Sequence, residues 1–261
     1  MSLLEARGLR KHFGGVKAVD DADLTIEQGS ITGLIGPNGA GKTTAFDLIT
    51  GHQRPDGGTV HFDGERIDGL PAHRIARLGM ARTFQLVRLL PRLSAQDNLL
   101  VAAQDHPGET VSGGLFGGWR AAEDAAKVEA ERWLDFVGMA HRADVPAGNL
   151  SYGQSKLTEI ARALTLDARL VLMDEPMSGI NPTLRRSILD VIRRLRDEGT
   201  TFCIIEHDIE MIMAECDRII VMHHGEVLTH GTPDEVRADD RVAEAYLGKG
   251  RRFTEAYGGD A

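Results

Sequence analysis

A glycine-rich segment, Gly36–Thr44, carries the most specific chemical signal in the sequence. It reads GPNGAGKTT, has the spacing G-x-x-x-x-G-K-T, and stands between a strand-like run and a helix-like run. Glycines allow backbone N–H groups to surround a phosphate, and the helix that follows presents its positive N-terminal end. The complete pattern predicts a nucleoside triphosphate site rather than a chance glycine-rich turn. The candidate ligands are Gly36, Asn38, Gly39, Gly41, Lys42, Thr43 and Thr44.

Two of these side chains have separate tasks. The Lys42 ammonium supplies a positive charge for the terminal phosphates, and the Thr43 hydroxyl suits Mg²⁺. Two acidic residues, Asp174 and Glu175, close the apolar run Leu170–Met173 later in the chain. An apolar run without alternation suits a parallel strand that is covered on both faces.

We interpret Asp174 as a ligand of the Mg²⁺ that Thr43 holds. Pro176 should favour an extended conformation for Glu175 at the strand end, where the carboxylate could accept a proton from attacking water. The alternative is a pair of surface acids at the end of a strand.

His207 follows another buried strand-like run, Thr200–Ile205. Parallel-sheet enzymes bind ligands beyond the carboxyl ends of their strands, so this position favours a functional role without deciding it. A satisfied core or surface histidine is the alternative.

A second phosphate-binding pattern lies at Leu150–Gln154, where a helix is predicted to begin at Ser151. Free N–H groups at a helix start, the Ser151 hydroxyl and the small Gly153 would suit a phosphate. Because Gly36–Thr44 already holds the phosphates of one nucleotide, a second such helix suggests a nucleotide bound by a partner subunit. An ordinary N-cap is the alternative.

The remaining pattern predicts an α/β core that positions these residues. Residues 1–84 and 167–247 alternate strand-like and helix-like segments, which indicates a mostly parallel sheet with flanking helices and an N-terminal antiparallel β part. Residues 85–166 are mostly helix-like and are interpreted as an inserted helical subdomain, and residues 248–261 as a loosely ordered tail. Phe13 ends the first strand-like segment, where it is either a core residue or a platform for an adenine ring.

Composition narrows the class of protein. With 261 residues, 42% of them hydrophobic, the chain can bury the core of a soluble globular protein. The formal charge of −9 argues weakly against nucleic acid, and the arginines of 185–196 have the spacing of a solvated helix face. Cys203 and Cys216 lack metal-ligand spacing and indicate buried thiols in a reducing compartment. Because the sequence has neither a signal-peptide core nor a long apolar run, we expect a cytoplasmic location.

Together these segments resemble the ATP-binding cassette family. Gln85 after a strand, the segment Ser178–Asn181 and His207 complete the family's motifs in the family's order across nearly the whole chain. The resemblance implies a P-loop NTPase fold and a head-to-tail dimer with ATP and Mg²⁺ at its interface. It implies that Gln85 touches Mg²⁺ or the attacking water, that Glu175 is the base, and that His207 holds the γ-phosphate.

The resemblance also assigns residues outside the glycine-rich loop. Ser151, Gly153 and Gln154 would meet the γ-phosphate bound by the other subunit, and Phe13 takes the adenine-stacking place. Two departures matter. Tyr152 stands where the family usually has glycine, and Asn181 where many members have aspartate, and both differences fall at the closed interface that the resemblance implies.

A finer resemblance is to the ATPase subunits of branched-chain amino-acid importers. It rests on Tyr152, on Asn181-Pro182, on Phe13-Gly-Gly, on the glycine-rich residues 105–118 and on the closing segment 231–248. The resemblance implies a homodimer or a heterodimer with a homologous ATPase, two transmembrane permease subunits docking near 86–100, and indirectly an extracytoplasmic solute-binding protein. The ATPase would lie at the cytoplasmic face of the cell membrane.

Three rival functions remain open at this point. Relatives that handle urea or short amides share much of the pattern. A soluble cassette ATPase acting on ribosomes or DNA usually has two cassettes or a long coiled-coil insertion, and the acidic balance disfavours nucleic acid. A small-molecule kinase would leave Leu150–Gln154 unexplained.

Overall fold

The computed structural model describes residues 1–83, 89–102 and 119–247. Gln85, the glycine-rich residues 105–118 and the tail 248–261 lie outside the described residues. No helix in the described ranges is long and apolar enough to cross a membrane.

Two β-sheets form the body of the chain. The first comprises β1 (Ser2–Phe13), β2 (Val16–Glu27), β4 (Gly57–Phe62) and β5 (Glu65–Arg66). The second comprises β3 (Ile31–Ile35), β6 (Met80–Thr83), β7 (Leu170–Asp174), β8 (Thr201–Ile205), β9 (Arg218–His223) and β10 (Glu226–Gly231). The first sheet is antiparallel with the order β2-β1-β4-β5, and the second has the order β10-β9-β3-β8-β7-β6.

Nine α-helices lie within the described ranges. They are α1 (Lys42–Ile49), α2 (Ala72–Arg77), α3 (Ala95–Leu100), α4 (Trp119–Phe136), α5 (Tyr152–Leu164), α6 (Pro182–Asp197), α7 (Ile209–Glu215), α8 (Pro233–Ala238) and α9 (Asp240–Leu247). Short 3₁₀ helices span Ala140–Arg142 and Ala147–Asn149. The predicted fold class is therefore confirmed: an N-terminal antiparallel β part and a mostly parallel sheet with helices.

The second sheet brings three loops to one edge. In β3, β7 and β8 every residue is buried, as expected for parallel strands covered on both faces. Within the sheet β8 lies between β3 and β7 and pairs in parallel with both. The segments that follow these three strands therefore meet at their shared carboxyl edge. They are the glycine-rich loop, the segment after Asp174, and Glu206-His207.

Successive side chains of β8 pack alternately into two different hydrophobic cores. Phe202 and Ile204 join the core that contains residues of α5, α6 and α7. Cys203 and Ile205 join a second core, which contains residues of α1 and of both sheets. Neighbouring side chains of a strand point to opposite faces, so this division follows from the period of the strand.

Two predictions about individual side chains are confirmed. Cys203 and Cys216 are both buried, and burial raises the pKa of each thiol. The arginine-rich helix α6 buries Ile188, Ile192 and Leu195, while Arg193 pairs with Asp190 and Glu215 on its solvated side.

The sequence pattern predicts a strand over residues 22–27, and β2 is longer than that. It begins at Val16, and its pairing with β1 contains several register shifts. Such irregularities break the two-residue alternation of buried and exposed side chains, so the sequence pattern does not reveal the first half of the strand.

The helices α3, α4 and α5 pack together and supply the mostly helical part of the chain. The position of Ser94 before a helix-like run with Leu99 and Leu100 predicts a helix start, and Ser94 does cap α3 with a capping box. Asn98 is 1% exposed, and its side chain accepts from the Leu90 N–H and donates to the carbonyls of Leu90 and Ser94. The division into a core and an inserted subdomain stays a prediction.

Candidate active site

A cavity of about 400 Å³ opens at the carboxyl edge of the second sheet. Its lining combines the glycine-rich loop with the start of β2 and with two residues that follow β7 and β8. The lining residues are Val16, Lys17, Ala18, Asn38, Gly39, Ala40, Gly41, Lys42, Thr43, Thr44, Glu175 and His207. The structure thus brings most of the predicted loop ligands together with the predicted base and histidine.

The loop can follow its path only because of glycines at particular positions. Gly36 has φ 152°, and a Cβ there would lie 2.1 Å from the carbonyl oxygen of Met222. Gly41 has φ 99°, and a Cβ there would lie 2.3 Å from the carbonyl oxygen of Ala18. Gly41 is also the N-cap of α1 and provides no side-chain cap. The first N–H groups of α1 are therefore left for a ligand such as a phosphate.

Lys42 is the buried cation of this cavity, with 7% of the residue exposed. Its Nζ donates to the carbonyl oxygens of Gly36 at 2.7 Å and Pro37 at 3.1 Å. Burial lowers the pKa of Lys42, while the negative charges of Glu175 and Asp174 oppose that shift.

Asp174 lies at the end of β7 and is 4% exposed. Its Oδ2 accepts from Arg82 at 3.3 Å, and its buried Oδ1 has no hydrogen-bond partner among the described residues. Burial raises the pKa of Asp174, while the Arg82 guanidinium opposes that shift. Asp174 Oδ1, a buried carboxylate oxygen without such a partner, is therefore available to bind a cation.

This donor set fits Mg²⁺ better than a metal that needs a protein cage. Within the described ranges, no group of three or more His, Cys, Asp or Glu side chains could hold a metal ion. Mg²⁺ does not need such a group, because it is commonly bound by one or two carboxylates, phosphate oxygens and water. Asp174 and Thr43 match that requirement.

Glu175 and His207 contact each other directly in the lining of the cavity. Glu175 Oε1 lies 2.6 Å from His207 Nε2, and the side chains are 17% and 48% exposed. The prediction of an extended Glu175 is wrong, because this residue has φ 49°. The Glu175 N–H still donates to the Ile205 carbonyl, and the Ser178 N–H then donates to the Glu175 carbonyl in a tight turn. These bonds outweigh the local preference that Pro176 imposes.

Comparison with known proteins decides the family. The family model described as ABC transporter matches residues 19–178. The chain belongs to the ABC transporter family. It therefore has the α/β fold of P-loop ATPases, binds ATP and hydrolyses it. A second family model, described as branched-chain amino acid ATP-binding cassette transporter, matches residues 226–251.

Alignments with individual relatives span nearly the whole of this chain. The chain is 42% identical to the high-affinity branched-chain amino acid transport ATP-binding protein BraF of Pseudomonas aeruginosa, over 95% of this chain and 98% of the relative. It is 40% identical to the probable branched-chain amino acid transport ATP-binding protein LivG of Archaeoglobus fulgidus, over 95% and 96%.

Solved structures agree with this fold. A nucleotide-free ATP-binding cassette from an ABC transporter is 33% identical and superposes with a TM-score of 0.83, over 95% of this chain and 100% of the other. The ADP conformation of an ATP-binding cassette is 32% identical, with a TM-score of 0.81 and the same coverage.

Arg82 and Val16 were not predicted as parts of the ABC ATPase site. Arg82 is 5% exposed in its side chain and pairs with both Asp47 of α1 and Asp174 of β7. A sequence signal exists, because an arginine inside a buried strand requires a charged partner. Val16 is 66% exposed and lines the cavity, and it pairs with Phe13 between β1 and β2. No sequence signal pointed to it.

The remaining predicted residues lie away from the cavity lining or outside the described residues. Phe13 is 48% exposed, so its alternative interpretation as a core residue is wrong. Gln85 lies outside the described ranges. Asn181 is the N-cap of α6 and accepts from the Leu184 N–H at 2.9 Å.

The helix start at 151–154 has a complete capping box. Ser151 Oγ accepts from the Gln154 N–H at 3.3 Å, and Gln154 Oε1 accepts from the Ser151 N–H at 3.0 Å. A Cβ on Gly153 would lie 2.1 Å from Leu184 Cδ2, so a larger residue there would require the Leu184 side chain on α6 to move. Within a single chain, these residues therefore act as an N-cap and a helix contact.

Proposed function

We propose that this chain is the ATP-binding and hydrolysing subunit of an importer for branched-chain amino acids. The observation that carries the hydrolytic part is the Glu175–His207 pair, 2.6 Å apart, in one cavity with Lys42 and the glycine-rich loop. The solute is supported by the names of the 42% and 40% identical relatives and by the match of 226–251.

Each predicted site residue has a task in this proposal. The N–H groups of the glycine-rich loop and the Lys42 ammonium bind the phosphates of ATP. Thr43 and Asp174, with Gln85, would hold Mg²⁺, which when bound neutralises charge on the phosphate oxygens. Glu175 accepts the proton of the attacking water at its carboxylate, and His207 orients the water and the γ-phosphate. Val16 lines the cavity and pairs with Phe13, and these two residues provide an apolar surface for the adenine ring.

The working unit is a head-to-tail dimer of this chain with itself or with a homologous ATPase. In that dimer Ser151, Gly153 and Gln154 read the γ-phosphate bound by the partner. The exposed N-terminus of α5 and the absence of these residues from the cavity lining support this arrangement. Two permease subunits dock on the helical part near 86–100, at the cytoplasmic face of the membrane, and an extracytoplasmic binding protein delivers the solute.

Co-purification and uptake test the proposal. The chain, expressed with the membrane proteins encoded beside its gene, should copurify with two permeases. In proteoliposomes with the neighbouring binding protein it should drive ATP-dependent uptake of labelled leucine. Preferential uptake of urea or a short amide would reassign the solute. Stable ATPase activity without a membrane partner, with tight and salt-sensitive RNA or DNA binding, would favour the soluble alternative.

Replacement of Lys42 by alanine should weaken ATP binding. Hydrogen bonds to charged groups contribute about 1.5–3 kcal/mol each, so the Kd for ATP should rise about 10- to 150-fold. Fluorescence titration with a labelled ATP analogue measures this change. Lys127→Ala is the matched control, since Lys127 forms an exposed pair with Glu123 on α4 and its loss should leave the Kd within about two-fold. An unchanged Kd for Lys42→Ala would contradict the assigned role.

A further inference from the structure

Glu206 is a buried acid next to the Glu175–His207 pair. It follows β8 directly, precedes His207 and is 5% exposed. A buried carboxylate is costly unless its oxygens are hydrogen-bonded, so its partners indicate why the chain keeps an acid at this position.

Each oxygen of Glu206 accepts from a different loop. Oε1 accepts from the Met177 N–H at 2.7 Å, two residues after Glu175. Oε2 accepts from the His207 N–H at 3.3 Å. The hydrogen-bonded ladder between β7 and β8 ends where the Glu175 N–H donates to the Ile205 carbonyl. Just beyond that point, the Glu206 carboxylate connects the segment that follows β7 to the segment that follows β8.

The position of this bridge matters for the geometry of the pair. Glu175 has φ 49°, a conformation that costs a non-glycine residue free energy and persists only where its surroundings impose it. The Met177 N–H that Glu206 holds belongs to the same turn. On the other side the bridge fixes the backbone of His207, whose imidazole contacts Glu175.

The hydrogen bonds and charges around Glu206 are consistent with a carboxylate that is held in one position. Burial raises the pKa of Glu206, and the two backbone N–H groups oppose that shift. Lys156 of α5 is 3% exposed, and burial lowers its pKa, while the negative charges of Glu159 and Glu206 oppose that shift. Glu206 thus interacts electrostatically with a buried cation of the helix that follows Ser151.

We propose that Glu206 is a positioning residue for ATP hydrolysis, whose carboxylate holds the turn after Glu175 and the backbone of His207 in register. The inference rests on the proposed roles of Glu175 and His207. Glu206 is not among the residues that line the cavity, and in this proposal it acts by keeping the base and the histidine at their mutual distance.

Glu206→Gln tests this role with little change in shape. An amide has one acceptor oxygen, so either Met177 or His207 loses its acceptor and meets an N–H₂ donor instead. Displacements of about 1 Å near a reacting centre can cost up to 100-fold, and we expect kcat to fall about 10-fold. The Kd for ATP should stay within about two-fold, because the phosphate ligands are elsewhere in the cavity.

Histidine-selective NMR of the full chain gives a readout that is independent of catalysis. The imidazole resonance of His207, assigned with His207→Ala, should shift in Glu206→Gln while the other histidines keep theirs. Asp217→Asn is the matched control, because Asp217 accepts the Ile31 N–H at 2.8 Å at the opposite end of β3. Its kcat and the His207 resonance should match the wild type. If Glu206→Gln does not fold, Glu206→Asp retains the charge but lacks the reach to both N–H groups.

The outcomes separate this inference from the proposed function. A displaced His207 resonance together with a lowered kcat at constant Kd supports it. An unmoved resonance, or a kcat that falls only in proportion to the unfolded fraction seen by circular dichroism, overturns it. Glu175→Gln is measured in parallel: full hydrolysis by that variant would reject the base assignment, while the resonance would still report whether Glu206 positions His207.

Discussion

Replacement of Glu175 by glutamine is expected to lower kcat for ATP hydrolysis by about 100- to 10,000-fold, which is the usual contribution of a general base. Glutamine keeps the shape of the side chain and can still contact His207, but a neutral amide cannot accept the proton of the attacking water. The loop ligands and Lys42 are untouched, so the Kd for ATP should change by less than about three-fold. Phosphate release and equilibrium binding of ATP measure the two effects.

The same variant should accumulate as an ATP-held dimer, because closure is retained while hydrolysis is blocked. Size-exclusion chromatography with and without ATP detects this change. Glu210→Gln is the matched control, since Glu210 is an exposed acid in the first turn of α7 close to His207. Its kcat should remain within about two-fold of wild type because an exposed charge is well screened. Wild-type hydrolysis by Glu175→Gln would remove Glu175 from the mechanism.

Most of the fold was predictable because local patterns determine it. Uninterrupted apolar runs marked β7 and β8 as parallel strands covered on both faces, and both strands are fully buried. Ser94 and Ser151 marked helix starts, and both form capping boxes. These signals lie within a few residues of one another, so no knowledge of the tertiary structure is needed to recognise them.

The site was predictable only where a motif fixes its chemistry. The glycine-rich loop, Glu175 and His207 line one cavity, as their positions after three strands suggested. The predicted conformation of Glu175 was wrong because its backbone hydrogen bonds to Ile205 and Ser178 override the preference for an extended conformation that Pro176 sets. The bond to Ile205 joins the residue after β7 to the end of β8, which are far apart in sequence, so no local pattern records it.

The ion pairs of Arg82 could not be predicted from the sequence either, because they too depend on tertiary structure. Its partner Asp47 is on α1 and its partner Asp174 is on β7, so the network exists only once β6 lies beside β7. The sequence shows an arginine in a short apolar strand. It does not show which acids compensate the charge.

Replacement of Arg82 by methionine is expected to lower the free energy of unfolding by about 3–5 kcal/mol, the usual cost of removing one partner from a buried ion pair. The Arg82 and Asp174 side chains are 5% and 6% exposed, so water cannot replace the lost cation effectively. Methionine fills much of the same space, which keeps the effect of a cavity small. Urea denaturation followed by circular dichroism measures the change.

Two further variants distinguish this explanation from general disruption. Arg169→Met removes a pair with Asp63 whose side chains are 44% and 57% exposed, and such a pair contributes about 0–1 kcal/mol. Adding Asp174→Asn to Arg82→Met removes the uncompensated charge and should restore part of the lost stability, because neighbouring sites are not additive. Equal losses for Arg82→Met and Arg169→Met, or a further loss in the double variant, would show that Arg82 does not stabilise the fold by compensating Asp174.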